Sequence, residues 1–237
     1  MHLVLVHGGT VTSRMWDPLL PHLATPTIAV DLPGRRYRPA DLGRVTRQDW
    51  IDAVAQEIVA RRVDRAVLVG HSSGGYVIPG VAARLPERSA HLVFVAATVP
   101  SEGTAPVDFL KPKLRRIALD SEHLMREHAA GCTLGGLVPG EAPIETELGI
   151  VENEERMGLE APGPLFEPFT WQGVPDVPRT FVRCTEDRVV TPELVPLMVA
   201  NMGGAEIVDI TAGHEVASEA PERLAAVLDS IAARGVG

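Results

Sequence analysis

Cysteine is nearly missing: Cys132 and Cys184 are the two in 237 residues, too few for a disulfide framework and not spaced as metal ligands. A reducing, cytoplasmic setting is the expectation. Basic charge is short as well, since 22 Lys and Arg stand against 31 Asp and Glu for a net charge of −9, which disfavours nucleic acid or an anionic membrane as the main partner. A small-molecule substrate becomes the default. No stretch approaches the roughly 20 apolar residues of a membrane span. Leu3-Val4-Leu5-Val6 runs straight into His7-Gly8-Gly9 without a basic region and a long apolar segment, so the protein is expected to begin at Met1 with no leader. The G-x-x-x-x-G-K-[ST] phosphate loop is missing, and Gly8-Gly9 does not extend to G-x-G-x-x-G, so no cofactor is expected. His123 and His128 are five apart and do not share a helix face as a metal pair would; no metal is expected. Nothing excludes a homodimer.

What is present is alternation. At 237 residues and 45% hydrophobic, the chain suits one large α/β domain. Short apolar runs end in turn residues at Leu3-Val4-Leu5-Val6, Thr27-Ile28-Ala29-Val30, Ala66-Val67-Leu68-Val69, 91–97, 179–185 and 205–210, the pattern of parallel strands buried on both faces. Helical stripes follow most of them. Ser13 is expected to cap a helix to Leu23 with Trp16, Leu19, Leu20 and Leu23 on one stripe. Thr46-Arg47-Gln48-Asp49 opens a helix through about Arg62 with Trp50, Val54, Ile58 and Val59 inward, and Pro221 to Ala233 closes the chain with Leu224, Val227, Leu228 and Ile231 inward. Between 101 and 178 the alternation stops, and prolines, glycines and isolated helical stretches read as an inserted lid between two parts of a catalytic core, 1–100 and 179–237. Within it Leu110, Leu114, Ile117 and Leu124 share a helical face. Phe166, Phe169 and Trp171 either pack the lid on the core or line a pocket.

The chemistry centres on Gly70-His71-Ser72-Ser73-Gly74-Gly75. Read as G-x-S-x-G between a strand and a helix, it is a turn sharp enough to crowd neighbouring Cβ atoms, which leaves the Ser72 hydroxyl exposed. Serine is a weak nucleophile that needs a base for its proton and a carboxylate to orient that base. His214 and Asp187 stand at later strand exits, and the carboxyl-end loops of an open parallel sheet share one edge. Glu186 is the alternative acid. Asp31, before Leu32-Pro33-Gly34, reads as a turn-former bonding its own loop rather than as the acid. Trp16 reads as core or pocket wall, and His71 as a pocket-edge or structural histidine. Arg35 and Arg36 read either as a solvated cluster or as an entrance patch for an acidic substrate.

Through Val6-His7-Gly8-Gly9, Asp31-Leu32-Pro33-Gly34, Gly70 to Gly75, Glu186 to Pro192 and Gly213-His214, the chain resembles the α/β-hydrolase family over nearly its whole length, and most closely its small branch of plant methylesterases, hydroxynitrile lyases and bacterial esterase-like proteins. The resemblance implies a mostly parallel sheet of about six strands flanked by helices, with a helical lid. It also implies Ser72 as nucleophile, His214 as base, Asp187 as orienting acid, the backbone N–H groups of Gly9 and Ser73 as oxyanion hole, and Thr10, Trp16 and His71 near the substrate. The lyases of this branch carry threonine after the first-strand histidine and lysine after the catalytic one, where this chain has Gly8 and Glu215, which disfavours cyanohydrin cleavage. Arg35-Arg36 stands where the family commonly has His-Gly. The expected activity is hydrolysis of a small or medium carboxylic ester, lactone or thioester. A lyase or cyclase using the triad for proton transfer, and a receptor with little turnover, are the alternatives.

Overall fold

Six apolar runs become strands: β1 (His2–Val6), β2 (Thr27–Val30), β3 (Ala66–His71), β4 (Ser89–Val95), β5 (Arg179–Cys184) and β6 (Glu206–Ile210). In the computed structural model, which describes residues 1–35, 37–131 and 160–234, they form one sheet in the order β2-β1-β3-β4-β5-β6, with every pairing parallel. After β2 the chain returns across β1 to place β3, so the first two connections leave in opposite directions and open a crevice at the carboxyl ends of β1 and β3.

The period of a strand sends alternate side chains to two separate cores. Val4, Val6, Leu68, Leu92 and Phe94 pack under α1 (Arg47–Ala60) and α2 (Ile78–Arg84). Leu3, Leu5, Val67, Val69, Val93 and Val95 pack under Trp16 and the chain's last helix. The remaining helices among the described residues are α3 (Pro112–Ala129), the single turn α4 (Gly163–Phe166), α5 (Val195–Asn201), the short α6 (Val216–Glu219) and α7 (Pro221–Arg234). No helix among the described residues is long and apolar enough to cross a membrane.

Local sequence explains most of these elements. Thr46 and Asp49 close a reciprocal capping box at the start of α1, satisfying two otherwise orphaned donors. Trp50, Val54 and Ile58 are buried as expected, but Val59 is half exposed, because one residue past Ile58 the helix has turned by about 100° away from the sheet. The expected helix from Ser13 to Leu23 is instead two 3-10 turns, Ser13–Trp16 and Leu20–His22. Pro18 and Pro21 lack the N–H groups that a continuous α-helix needs. Thr12, not Ser13, caps the first turn. Ser13 is committed elsewhere: its N–H and hydroxyl both donate to the Asp31 carboxylate, at 2.7 and 2.9 Å. Asp31 thus ties down the β1 exit loop rather than its own turn.

In the segment between β4 and β5, Pro112 is the first residue of α3, the position where a missing N–H costs least. Leu114, Ile117 and Leu124 of that helix are exposed. Phe169 is buried and meets Trp171 edge to face at 5.1 Å, and the Trp171 indole donates to the Pro100 carbonyl. These aromatics pack on the sheet domain, with Trp171 also against Phe94 of β4. Cys184 is buried; Cys132 and Arg36 lie outside the described residues.

Candidate active site

β3 runs straight into the turn that carries Ser72, whose φ of +50° places a non-glycine residue in the left-handed region, at a cost of order 1–3 kcal/mol. Two glycines make that turn fit. A methyl group on Gly70 would lie 2.5 Å from the Gly74 carbonyl oxygen, and one on Gly74 would lie 2.7 Å from the Val6 carbonyl oxygen. The Thr98 N–H donates to the Ser72 carbonyl at 3.1 Å, holding the turn against the exit of β4. The spacing therefore does what the sequence implied: it lifts the serine out of the sheet.

The β5 and β6 exits supply its partners. His214 Nε2 lies 3.0 Å from Ser72 Oγ, and His214 Nδ1 lies 2.8 Å from Asp187 Oδ2. The other oxygen of Asp187 accepts from the Val189 and Val190 N–H groups at 2.7 and 3.0 Å, so the carboxylate is fixed by its own loop and its side chain is fully buried. A buried carboxylate facing Nδ1 sets the tautomer, with Nδ1–H directed at Asp187 and the Nε2 lone pair at the serine. Glu186 is exposed and its N–H donates to the Ala212 carbonyl; Asp187 is the carboxylate that meets the histidine.

Residues 3–227 match the alpha/beta hydrolase family. The chain belongs to that family. Among curated relatives it is 26% identical over 97% of its length to norfluorocurarine synthase 2 of a Strychnos species, covering 94% of that protein. It is 25% identical over 98% of its length to methylesterase 10 of Arabidopsis thaliana, covering 92% of that protein. The crystal structure of a pyrethroid hydrolase superimposes with a TM-score of 0.75 at 22% identity, covering 100% of this chain and 99% of that one.

Around the triad of this alpha/beta hydrolase, two buried histidines are structural. Burial, followed by the nearby His214, pushes the His71 pKa down to about 3, so its ring is neutral near pH 7. Its Nε2 lies 2.9 Å from the His214 carbonyl, which only an N–H can satisfy. His71 thus steadies the backbone of His214 and stays neutral beside it. His7 is held near 3 by burial and then by the charge of Arg35. It accepts the Leu32 N–H at Nε2 and faces the Gly8 carbonyl through Nδ1, joining the β1 and β2 exits. Trp16 is wholly buried in the core and edge-on to His71 at 6.0 Å, with no exposed surface of its own.

The loop after β1 abuts the elbow. A side chain on Gly8 would begin 3.0 Å from Ser72 Cβ, and one on Gly9 would begin 3.6 Å from Ser73 Oγ. Thr10 is exposed, with its N–H donating to Glu160 Oε2 at 2.7 Å. Arg35 matches neither reading of the basic cluster: it is 0% exposed, donating through Nε to the Val11 carbonyl and through a terminal nitrogen to Glu160. No sequence signal pointed to Glu160, which lies 150 residues from Thr10. One potential ligand atom from each of His71, His214 and Glu215 comes within 4.8 Å of the others. His214 commits both ring nitrogens to the triad, and His71 Nε2 faces a carbonyl, which leaves too few donors for a closed metal shell.

Proposed function

We propose that this protein is a serine hydrolase that cleaves a small or medium carboxylic ester, or a lactone or thioester, through an acyl-enzyme on Ser72. The observation that carries the reading is the unbroken line Ser72 Oγ to His214 to Asp187, at 3.0 and 2.8 Å. His214 Nε2 takes the hydroxyl proton as Oγ bonds to the ester carbonyl carbon. Asp187 stabilises the imidazolium that results. The carbonyl oxygen becomes an oxyanion directed at the backbone N–H groups of Gly9 and Ser73, which sit on the abutting loop and elbow; such donors act most strongly on charge that develops in the transition state. Collapse breaks the ester C–O bond, and the imidazolium returns its proton to the leaving alcohol. Water activated by His214 then releases the acid by the same steps in reverse. The 101–178 segment would act as lid, shaping the acyl and alcohol pockets. The esterase-like relatives support small ester substrates.

Norfluorocurarine synthase 2 among the relatives favours a second reading, in which His214 moves a proton in a lyase or cyclase reaction and no acyl-enzyme accumulates. Rapid acid quenching during turnover of a slowly deacylated ester, followed by mass spectrometry of the peptide bearing Ser72, separates the two. The hydrolase reading expects the acyl group on that peptide. Turnover that depends on Ser72 with no adduct at any quench time would support the proton-transfer reading instead.

A further inference from the structure

The loop from Gly9 to Val11 is held from two sides by groups that the triad does not use. Glu160 Oε2 accepts the Thr10 N–H at 2.7 Å, and Arg35 Nε donates to the Val11 carbonyl at 2.8 Å. The two clamping groups are themselves joined, with an Arg35 terminal nitrogen 3.0 Å from each Glu160 oxygen. The Arg35 guanidinium also lies over the Trp50 ring, 5.7 Å from its centroid. A wholly buried guanidinium is costly to desolvate and persists only when it is paired and hydrogen-bonded; here one of its bonds reaches the loop directly at Val11 and another reaches it through Glu160. Thr10 has φ +60°, a left-handed conformation that a β-branched residue adopts only when its surroundings impose it. The Glu160 bond to its N–H is such an imposition.

We propose that Arg35 and Glu160 are positioning residues for the oxyanion hole: together they lock the Gly9-Thr10-Val11 backbone so that the Gly9 N–H points at the developing oxyanion. The inference rests on the hydrolase reading above. Glu160 Oε2 lies 2.9 Å from where a Gly9 side chain would begin, so the carboxylate packs directly on the residue whose amide must be aimed. Its charge also reaches the elbow, where it adds to burial in pushing the Tyr76 phenol above its ordinary pKa. The next residue, Ala161, is buried in the core, which anchors the chain beside Glu160. A salt bridge that served stability alone would not need to grip both a donor and an acceptor of the same three-residue loop.

The test compares wild type with Glu160→Ala, Glu160→Gln and the double variant Arg35→Met/Glu160→Leu. The double variant removes the clamp without leaving a buried charge unpaired, and it carries the test should Glu160→Ala not fold. Three readouts are taken: kcat and KM on a p-nitrophenyl ester, affinity for an alkyl boronic acid that forms a tetrahedral adduct on the serine, and amide hydrogen exchange at Gly9 and Thr10. A misaimed amide costs roughly tenfold to a hundredfold in transition-state stabilisation. The clamp therefore expects kcat and boronate affinity to fall together by that factor in the Ala and double variants, with KM within about threefold and Thr10 exchange accelerated. Glu160→Gln loses less than Glu160→Ala, since its amide oxygen still accepts the Thr10 N–H while its amide nitrogen cannot accept from Arg35. Unchanged kcat, a rise in KM alone, or unchanged exchange overturns the clamp. Failure of wild type to turn over esters or to bind the boronate would instead sink the hydrolase reading, while the exchange comparison still decides whether the loop is held.

Discussion

Asp187 divides its work between two oxygens, one on His214 Nδ1 and one on the Val189 and Val190 amides. Asp187→Asn can keep the second set but presents an amide donor or a misplaced oxygen to the histidine, which turns the imidazole to the wrong tautomer. The expected outcome is a fall in kcat of about 10⁴ with little change in melting temperature, read by kinetics and a thermal melt on the same sample. Asp187→Ala loses both sets and should melt lower as well. The triad was legible in the sequence because each member stands at the exit of its own strand, where residue type and chain order coincide. Arg35 was not. A run of arginines reads as wet surface, and what buries this one is a carbonyl 24 residues away and a carboxylate 125 residues away. Glu160 carries no local pattern at all, since its role exists only once the fold brings it to Thr10.

Elements whose signals were local came through, and those with competing signals did not. The capping box of α1 is such a local signal, and Thr46→Ala should cost about 1 kcal/mol, seen as a lower urea midpoint with kcat/KM little changed because the Thr46 side chain bonds Asp49 and no triad residue. The elbow responds differently. Gly74→Ala would press a methyl group against the Val6 carbonyl oxygen, 2.7 Å away, and the His7 carbonyl oxygen, 3.0 Å away, and backbone cannot swing aside as a side chain can. It should destabilise by about 1–3 kcal/mol and also lower kcat, because the turn it distorts carries Ser72. Equal kcat in a folded Gly74→Ala protein would contradict this account of the turn. The stretch from Ser13 to Leu23 shows the opposite case. Its apolar stripe is helical in spacing, yet Pro18 and Pro21 remove the donors an α-helix requires, and the same hydrophobic residues are buried from 3-10 turns instead.

At the scale of the molecule, the all-parallel sheet brings the exits of β1, β3, β5 and β6 to one edge, so residues up to 142 apart in sequence meet in a single hydrogen-bonded line. The same architecture buries His7 and His71 in neutral form, with pKa values near 3 against an ordinary 6.5. Above about pH 6.5 neither makes stability depend on pH, since both are neutral folded and unfolded. Between about 6.5 and 3 the unfolded chain binds two protons that the folded one refuses, so stability falls with pH by up to about 1.4 kcal/mol per unit for each histidine. Urea unfolding near pH 7.5 and near pH 5 should show this acid loss in wild type and a clearly smaller one in the double variant His7→Gln/His71→Gln. An equal loss in both would contradict the burial account. The central claim remains that Ser72, His214 and Asp187 work as one catalytic unit. Its most direct test is nitrophenol release from a short-chain p-nitrophenyl ester series by wild type and by Ser72→Ala at matched concentration. The account predicts multiple turnovers in wild type and a loss of roughly a thousandfold or more in the folded variant; turnover that survives in Ser72→Ala, or is missing from folded wild type across the series, would contradict it.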